Sequence, residues 1–470
     1  MKICGTVVLL LAVLHFSVSR YIGFAWRKAV QDPEPCDSTL RVSLVVSSLV
    51  SDTGETRLLE ARWRNAPLQI GDYLAIYESD PTGGVLPEPV FSLELKEPTG
   101  YVFTGVPSYP TNDTIGYETR CLGHWLAYVS PGDGTGEHQI LASACTRTRP
   151  TWMYDLKDEI GQLKFRDLFI PGSHNSGSYI EGPGDRITKY IYNQEEGVLN
   201  QLIFGVRYLD VRIGYYPPKL ITENGTVLPT QPDVPDEEVF FINHGMYRIR
   251  PLKEVIDDVK LFLSSTKEIV LFDVQEFPVG FDSSRANLDI HVRLMNYLGR
   301  EFSEFAANVS MGGGWWGTPL NTFWKEEKRL IIGYDNDNAV EEAQRISEAE
   351  GKGRGGSVIW QAVQQKWGDK RTVEDLRSYF AMVFEQQPVR VWSAMAEMTP
   401  NAWTIITDSL GGLRKMADSV NRNVTDWFEG TWGNYANIVA TDYFRGTDIV
   451  EASIKWNHLR AVFSHECRKL

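Results

Sequence analysis

In "DLFIPGSHNSGSY", residues 167–179, a short apolar run passes directly into a polar segment that contains two glycines and one histidine. The run predicts a strand, and the segment after it predicts a loop that presents His174. A single histidine in such a loop is more often a satisfied turn or core residue than a reactive one. The interpretation of this stretch therefore depends on whether the rest of the chain repeats it.

The pattern recurs in the part of the chain that follows the linker-like "TRTRPTW" at 146–152. Strands that end in polar residues are predicted for "DLFIPGSH", "VRYLDVRIG", "VFFINHG", "EIVLFDVQEF", "RLIIGYD", "SVIWQA" and "NIVATDYF". Helical stretches lie between them, and in 251–265 the apolar residues at helical spacing are Leu252, Val255, Ile256, Val259 and Phe262. This alternation favours an α/β fold with a parallel sheet, whose leading closed form is a TIM (β/α)8 barrel.

The first part of the chain has a different pattern. From about Ser38 to Cys145, short alternating runs are separated by turns such as "DPTGG" and "SPGDGTG", which predicts an antiparallel β-sandwich. The predicted strands are "LRVSLVVSSL", "DYLAIYES", "VFSLELKE", "HWLAYVS" and "QILASAC". "GDYLAIYE" and "HWLAYVSPGDGTG" give this part a faint resemblance to SKICH-like and immunoglobulin-like sandwich domains. We therefore divide the chain into a signal peptide (1–19), a β-sandwich domain (20–150) and a barrel domain (151–470).

The amino terminus predicts secretion. Met1 and Lys2 precede the apolar "VVLLLAVL" and the small-residue end "SVSR", in which Ser17 and Ser19 form the cleavage pattern of a secretory signal. A buried helix is the alternative interpretation of this stretch. No later stretch of the sequence is long and apolar enough to span a bilayer, so we expect a secreted, extracellular protein.

The cysteines and glycosylation sequons agree with secretion. Removal of Cys4 with the signal leaves four cysteines, which fits two disulfides. Cys121 and Cys145 flank a predicted turn at "PGDG", 131–134, so a hairpin could place them opposite each other. Cys36 and Cys467 would then link the two ends of the chain, a pairing that stays open. N-glycosylation is predicted at four sequons, although such triplets also arise by chance: Asn112, Asn224, Asn308 and Asn423.

The charge of the chain excludes one class of partner. Its formal net charge is −14 at pH 7, which argues against nucleic acid because phosphate backbones select basic surfaces. The same charge argues against strong attraction to anionic lipid. The sequence makes no prediction about the oligomeric state.

Two of the histidines occupy equivalent positions in the predicted fold. His174 and His244 both lie where an apolar strand run meets a glycine-containing loop, and Asp210 and Arg212 between them project from one face of a strand. Asp442 ends a later strand and could accept a hydrogen bond from a ring nitrogen of His174. A base, an acid and a cation on one rim are what phosphoryl transfer requires. The structural alternatives are a salt bridge between Asp210 and Arg212 and a helix cap at Asp442.

Five segments together resemble a known family. In this order, "FRDLFIPGSHNSGSY", "GVRYLDVRIG", "FFINHG", "EIVLFDVQEF" and "VATDYF" resemble the phosphatidylinositol-specific phospholipase C (PI-PLC) X-domain proteins, over roughly Leu156 to Trp456. The resemblance implies a distorted TIM barrel that cleaves phosphatidylinositol-type or GPI-type lipids by attack of the inositol 2-hydroxyl. It also implies transient contact with a membrane surface, where the lipid substrate lies.

The same resemblance implies a role for each residue of the set. His174 matches the general base that takes the proton from the 2-hydroxyl, and His244 matches the general acid that protonates the diacylglycerol oxygen. Arg212 matches the arginine that stabilises the phosphate in the metal-independent, bacterial-type enzymes. Asp442 matches the partner of the base and Asp210 the partner of the acid. The products would be a cyclic inositol phosphate and diacylglycerol.

Asn175 departs from the bacterial-type pattern, which usually has aspartate after its first histidine. In this respect the chain resembles the calcium-dependent eukaryotic enzymes, in which Asn175 and Asp210 would be calcium ligands. Those enzymes place an acidic residue at the position of Arg212, whose fixed positive charge would repel the metal. Calcium takes six or more oxygen ligands, including several carboxylates. We therefore predict no metal and no other cofactor, with calcium as the disfavoured alternative.

Further residues near strand ends are candidates for lining an inositol pocket: Asn175, Asp273, Gln275, Glu276, Tyr334 and Trp360. Only alternate residues of a strand face the lumen of a barrel, so about half of the strand-end candidates should point elsewhere. A separate stretch, "GGGWWGTPLNTFW" at 312–324, contains three tryptophans. It predicts either an interfacial wedge or, more simply, core packing.

Two other functions stay open at the level of the sequence. One is a catalytically inactive secreted binding protein on the same barrel, with the β-sandwich as its working part. The other is a metal-dependent glycerophosphodiesterase- or sphingomyelinase-type barrel. That type needs an acidic metal cluster near the first histidine, where this chain has Arg212. A chelator would separate it from the metal-independent enzyme.

Overall fold

The computed structural model describes residues 39–50, 57–110, 115–131, 138–180, 188–218, 220–221, 227–228, 234–281, 288–386 and 388–462. Its strands are β1 (Arg41–Val50), β2 (Arg57–Arg64), β3 (Tyr73–Tyr77), β4 (Phe91–Glu94), β5 (Gly100–Pro107), β6 (Cys121–Ser130), β7 (Gln139–Arg147), β8 (Ile170–Ser173), β9 (Tyr208–Tyr215), β10 (Leu220–Ile221), β11 (Val227–Leu228), β12 (Phe240–His244), β13 (Tyr247–Pro251), β14 (Val270–Glu276), β15 (Leu330–Tyr334), β16 (Ile359–Gln361), β17 (Gln364–Trp367), β18 (Trp392–Met395) and β19 (Ile438–Thr441).

The α-helices in these ranges are α1 (Trp152–Asp155), α2 (Lys157–Ile160), α3 (Val198–Ile203), α4 (Leu252–Ser265), α5 (Asp289–Glu301), α6 (Leu320–Lys325), α7 (Asp337–Ala349), α8 (Val373–Gln386), α9 (Ala402–Thr407), α10 (Leu413–Glu429) and α11 (Ile449–Val462). Short 3-10 helices cover Pro81–Gly83, Phe165–Asp167, Thr188–Tyr190, Asp236–Glu238, Met311–Gly313, Trp315–Gly317, Arg354–Gly356, Thr431–Asn434 and Phe444–Gly446.

The first seven strands form two antiparallel sheets, with the orders β1-β2-β5 and β4-β3-β6-β7. Apolar side chains of both sheets share one core, for example Leu59 of the first sheet and Leu126 of the second. Strands β2 and β5 were not predicted from the sequence. The reason lies in β2, where Glu60 and Arg62 interrupt the apolar alternation because their side chains meet the rest of the protein. We call residues 39–147 the N-terminal domain.

The remaining chain forms a distorted α/β barrel. Eight parallel strands make one curled sheet with the order β16-β15-β14-β9-β8-β19-β18-β17. Strands β16 and β17 follow each other in the chain but are not paired in the described residues, so the barrel is open between them. Helices α4, α5 and α7 cover β9, β14 and β15, while α8, α10 and α11 cover β18 and β19. All five apolar residues at helical spacing in α4 are buried, which confirms that part of the prediction.

Two details of the barrel differ from the sequence-based expectation. Strands β17 and β18 were not predicted, because each has only four residues and carries polar side chains or small ones. Strand β12, predicted as part of the parallel sheet, instead pairs antiparallel with the end of β9 and forms a hairpin with β13. Its pairing of Ile242 with Ile213 brings His244 back alongside the barrel strand that carries Arg212.

The disulfide between Cys121 and Cys145 joins β6 to β7, which confirms the hairpin prediction for this pair. Cys36, Cys467, the predicted signal peptide and the sequons at Asn112 and Asn224 lie outside the described residues. Of the other two sequons, Asn308 is exposed and Asn423 is half-buried in α10. Among the helices in the described ranges, none has the length and apolar character needed to cross a membrane.

Candidate active site

The centre of the candidate site is a histidine–carboxylate pair. Strands β8 and β19 are parallel neighbours and Ser173 lies opposite Thr441, so the next residues, His174 and Asp442, emerge side by side. The distance between His174 Nδ1 and Asp442 Oδ1 is 2.7 Å. A carboxylate at that distance accepts a hydrogen bond from Nδ1–H and leaves Nε2 as the nitrogen that can take up a proton. The hydrogen bond expected from the sequence is therefore present.

Arg212 lies on the other side of the imidazole. On β9, Tyr208, Asp210 and Arg212 alternate along the strand and face the lumen, as the spacing predicted. Arg212 Nη2 lies 2.8 Å from His174 Nε2 and 3.4 Å from Asp210 Oδ2. The guanidinium therefore contacts the base and a buried carboxylate together, and the salt bridge between Asp210 and Arg212 is part of the site.

His244 reaches the site from the β12–β13 hairpin, and the carboxylate partner predicted for it is wrong. Its Nδ1 donates to the main-chain carbonyl of Ile191. Asp210 Oδ2 instead accepts from the main-chain nitrogen of Asn175 at 2.8 Å and from Arg212. The physical reason is the antiparallel direction of β12, which sets the ring of His244 against the 188–193 loop. A carbonyl can orient this imidazole, but it contributes no negative charge.

Asn193 and Gln194 hold His174 and Asp442 in place, and neither was predicted from the sequence. Asn193 Nδ2 donates to Asp442 Oδ1 at 3.0 Å, and its Oδ1 accepts from Asn175 at 3.1 Å. Gln194 Nε2 donates to the carbonyl oxygens of His174 and Thr441 at 2.9 and 2.7 Å. Both amides are buried. Their signal in the sequence was weak, because they lie in a loop rather than at the end of a strand.

Glu397 is a further residue of the site that was not predicted from the sequence. It follows the unpredicted strand β18 by two residues, and its Oε1 lies 4.0 Å from His174 Nε2. The side chain is almost fully buried, and neither carboxylate oxygen has a hydrogen-bond partner among the described residues. Burial raises the pKa of Glu397 to about 7, although the positive charges of His174 and Arg212 oppose the shift. Its only signal in the sequence is a lone glutamate after the short run "VWSAMA".

The pKa values of the two histidines are shifted in opposite directions. Burial lowers the pKa of His174, but the carboxylates of Glu397 and Asp442 outweigh it and raise the pKa to about 9. Burial, Arg212 and His174 together lower the pKa of His244 to about 4. The hydrogen bond from Arg212 requires a lone pair on His174 Nε2, so this geometry is that of the unprotonated base. His174 is thus placed as a strong base, and His244 releases a proton easily once it carries one.

Of the residues predicted to line the pocket, only some face the lumen, as the alternation of side chains along a strand requires. Gln275 faces the lumen, but its Nε2 donates to Asp273 and to the Val363 carbonyl, across the opening between β16 and β17. Glu276 is exposed at the rim, with Oε1 3.3 Å from Arg212 Nη1. Asn175 is buried beside His174 and Asp442 and has a positive φ of 46°.

The predictions for Tyr334 and Trp360 are wrong. Tyr334 points outward from β15, and its hydroxyl lies 2.8 Å from Nδ1 of His291 under the helices. Trp360 does point inward, but it lies at the amino-terminal end of the barrel. There its ring is 5.3 Å from that of Trp316 in the tryptophan-rich stretch. Trp316 and Trp324 of that stretch are half-buried against the core, which agrees with core packing, whereas Trp315 is 39% exposed.

The donor set at the predicted calcium position does not fit that ion. Asn175 Oδ1 and Asp210 Oδ1 are buried and lack hydrogen-bond partners within the described residues. However, the guanidinium of Arg212 lies 3.4 Å from the other oxygen of Asp210. No three His, Cys, Asp or Glu side chains of the described chain form a group that could hold a metal ion. Calcium needs six to eight oxygens, and Arg212 places a fixed positive charge among the few available.

Comparisons with known proteins agree with the resemblance found in the sequence. No protein-family model matches the chain. The chain is similar to PI-PLC X domain-containing protein 1 of Danio rerio, with 22% identity over 66% of this chain and 97% of that protein. PI-PLC X domain-containing protein 3 of Homo sapiens is also 22% identical, over 66% of this chain and 93% of its own length. The resemblance to PI-PLC X-domain proteins is therefore confirmed for about two thirds of the chain.

Solved structures similar to this chain include two bacterial enzymes. A mutant of phosphatidylinositol-specific phospholipase C from Staphylococcus aureus has 14% identity and a TM-score of 0.45, covering 66% of this chain and 97% of its own. The enzyme of the same name from Listeria monocytogenes has 16% identity and a TM-score of 0.45, covering 66% of this chain and 98% of its own.

Proposed function

We propose that this protein is a metal-independent phosphoric diester hydrolase of the PI-PLC type, acting on phosphatidylinositol or GPI-type lipids. The observation that carries the proposal is the position of His174 Nε2. It faces the guanidinium of Arg212 at 2.8 Å, while Asp442 holds Nδ1 at 2.7 Å. A base next to a fixed cation suits the transfer of a proton from a hydroxyl that attacks a phosphodiester.

The proposed reaction starts with the 2-hydroxyl of the inositol ring. Its oxygen attacks phosphorus while its proton passes to His174 Nε2. A new bond forms between this oxygen and phosphorus, and the bond from phosphorus to the glycerol oxygen breaks. Arg212 stabilises the negative charge on the non-bridging oxygens because its guanidinium lies 2.8 Å from the base that receives the proton. The products are a cyclic inositol phosphate and diacylglycerol.

His244 supplies the proton that the leaving glycerol oxygen needs. Because its Nδ1 is engaged by the Ile191 carbonyl, Nε2 is the nitrogen that transfers the proton. The low pKa of His244 suits an acid only when the negative phosphodiester is bound. That negative charge offsets Arg212, one of the groups that lower the pKa of His244. Protonation of His244 and substrate binding therefore support each other.

Buried oxygens without partners suit a substrate rich in hydroxyl groups. Both oxygens of Glu397, together with Asn175 Oδ1 and Asp210 Oδ1, lack donors in the described part of the chain. An unpaired buried acceptor is costly, and a hydroxyl of a bound polyol relieves that cost. We therefore assign the binding of the inositol ring to this cluster, in which Glu397 Oε1 lies 4.0 Å from His174 Nε2.

The rim around the site suits a lipid surface. Apolar side chains are exposed beside His244 and after the carboxyl ends of β8, β17 and β18: Ile180, Met246, Tyr247, Trp367, Trp403 and Ile406. Trp403 is 70% exposed and Met246 74% exposed, which is unusual for side chains of this size. Indole and apolar side chains favour the membrane–water interface, and such contact would bring a membrane lipid to His174.

Secretion remains part of the proposal. The disulfide between Cys121 and Cys145 supports it, because disulfides persist in oxidising compartments. The exposed sequon at Asn308 is accessible to glycosylation.

Purified protein incubated with phosphatidylinositol in zwitterionic vesicles is expected to release cyclic inositol phosphate, detected by phosphorus NMR. The rate should be the same with EDTA and with added calcium, because Arg212 occupies the place of a metal. Zwitterionic vesicles are the appropriate surface for a chain with a net charge of −14. No turnover of phosphatidylinositol or of a GPI-anchored protein would contradict the proposed activity. Turnover abolished by EDTA would instead support a metal-dependent diesterase.

Replacement of Glu397 by glutamine should move the acid limb of the pH profile of kcat/KM to lower pH. His174 must be unprotonated to act, so activity rises as the pH passes through the pKa of His174. The negative charge of Glu397 raises that pKa, and its removal lowers it. Assays of the wild type and of Glu397→Gln across pH 5 to 10 measure the shift.

Glu276→Gln is the matched control for this experiment. Glu276 is also a carboxylate at the mouth of the barrel, but it pairs with Arg212 on the exposed side and is not among the groups that shift the pKa of His174. We expect the pH profile of kcat/KM for Glu276→Gln to have the same midpoint as that of the wild type. An unchanged midpoint in Glu397→Gln, or a midpoint at higher pH, would exclude the assigned charge effect.

A further inference from the structure

The loop segment 193–196 contacts the catalytic pair on one side. As described above, the amides of Asn193 and Gln194 hold Asp442 and the main chain of His174. The main chain of the segment adds to this, because the nitrogen of Tyr443 donates to the carbonyl oxygen of Asn193 at 2.8 Å. A shift of this segment would therefore move both members of the pair.

The other side of the same segment ends in two buried carboxylates, Glu195 and Glu196. Arg57 of the N-terminal domain donates from Nη1 to Glu196 Oε1 at 2.7 Å, and the same Nη1 lies 3.3 Å from Glu195 Oε1. Arg414 and Arg445 of the barrel complete the cluster, with distances of 2.5 Å to Glu195 and 2.8 Å to Glu196. One arginine from the N-terminal domain thus bridges both carboxylates of the segment.

A second contact joins the same elements. Ser48 on β1 donates from its hydroxyl to the carbonyl of Arg414, and Arg414 Nη1 donates back to the carbonyl of Ser48, both at 3.0 Å. The guanidinium of Arg414 also lies 4.5 Å from the ring centre of Tyr443, the residue after Asp442. The N-terminal domain therefore contacts the surroundings of the catalytic pair through two strands, β1 and β2.

We propose that the N-terminal domain is a positioning element for the His174–Asp442 pair, acting through the contact of Arg57 with Glu195 and Glu196. This inference rests on the function proposed above. It gives the N-terminal domain, which lies outside the barrel, a role in that function. Arg57 is a positioning residue, since its guanidinium contacts the carboxylates of Glu195 and Glu196 and acts on the pair through that segment.

The physical reason is that buried ion pairs fix positions more than they add stability. Glu195 and Glu196 are 2% exposed, so they cannot turn to water when a partner is lost. Burial raises the pKa of Glu196, but Arg445 and Arg57 outweigh it and hold the pKa below its usual range. Loss of Arg57 removes one of the two cations that hold Glu196 charged, and the segment must rearrange. Displacement of catalytic groups by about 1 Å can cost about 100-fold in rate.

Replacement of Arg57 by methionine tests this inference, with Arg64→Met as the matched control. Arg64 is on the same strand β2, its side chain is 14% exposed against 15% for Arg57, and it also pairs with the barrel. Its partners, Asp426 and Glu429, belong to α10 and not to the 193–196 segment. Both variants therefore lose two ion pairs between the N-terminal domain and the barrel, but only Arg57→Met loses the contact with the 193–196 segment.

Two readouts separate positioning from general stability. We expect Arg57→Met to lower kcat on phosphatidylinositol by about 10- to 100-fold with little change in KM, and Arg57→Lys to recover part of the loss. Independently of turnover, the Nδ1 proton of His174, followed by NMR of histidine-labelled protein, should exchange faster with water in Arg57→Met. Arg64→Met should match the wild type in both readouts.

The outcomes distinguish this inference from the proposed function. If the wild type turns over no phosphoinositide, the proposed function fails, and the proton-exchange experiment still tests the positioning. If Arg57→Met and Arg64→Met behave alike in both readouts, the positioning role is excluded. If Arg57→Met does not fold, Arg57→Lys decides: slower turnover and faster proton exchange support the role, and wild-type values exclude it.

Discussion

Replacement of His174 by alanine is expected to lower kcat on phosphatidylinositol by about 100- to 10,000-fold, the range typical for loss of a general base. The reason is that His174 Nε2 is the base assigned to the 2-hydroxyl proton, and its orientation depends on Asp442 at 2.7 Å. Asp442→Asn should lose a large part of the same activity, because an amide can no longer hold the ring in the tautomer with a free Nε2. Release of cyclic inositol phosphate measures both variants.

His458→Ala provides the histidine control for this prediction. His458 is exposed on α11 and pairs with Glu159, on the outside of the barrel. Its removal should leave kcat unchanged. Wild-type turnover by folded His174→Ala would exclude His174 as the base and would leave its contact with Asp442 without the assigned role.

Replacement of Arg212 by lysine should lower kcat by about 100- to 1,000-fold, the loss typical when one preorganised donor to a developing negative charge is removed. Lysine keeps the charge but not the planar donors that face His174 Nε2 and Asp210 together. Arg212→Met should be at least as impaired. It should also unfold at a lower temperature, since it leaves the buried carboxylate of Asp210 without its ion pair. Turnover and thermal denaturation followed by circular dichroism measure the two effects.

Arg248→Lys is the control for Arg212. Arg248 belongs to the hairpin that carries His244, but its guanidinium stacks on Phe241 and Tyr216 at 4.7 and 5.2 Å from the ring centres. Its replacement should change kcat little. Full activity of Arg212→Lys would show that charge alone suffices at this position and would remove the argument from donor geometry.

Much of the site was predictable because parallel strands present their carboxyl-end residues at one edge. His174 and Asp442 directly follow β8 and β19, and Arg212 lies within β9, so their proximity followed from the alternation of strands and helices. Glu397 was not predictable in the same way, because β18 is a short strand of Trp392, Ser393, Ala394 and Met395, which has no distinct periodicity.

The partner of His244 was mispredicted for a related reason. The resemblance placed Asp210 beside the acid, but the antiparallel turn of β12 directs the ring towards the carbonyl of Ile191. Strand direction is not encoded in a short apolar run, since "VFFINHG" can pair in either orientation. The side-chain direction of Tyr334 was mispredicted as well. Successive residues of a barrel strand point alternately to the lumen and to the helix layer, so an error of one residue reverses the prediction.

The alternation of apolar runs with helical stretches followed from the amino-acid order alone, and so did the set of His174, His244, Asp210, Arg212 and Asp442. Local hydrophobic periodicity and strand-end chemistry suffice for those inferences. The folded chain added the unpaired carboxylate of Glu397, the amides of Asn193 and Gln194, and the contact of Arg57 with Glu195 and Glu196. Arg57 lies 139 residues from Glu196 in the chain, and no local pattern encodes a contact at that separation. Such contacts arise only when packing brings distant segments together, because burial then requires each charge to find a partner.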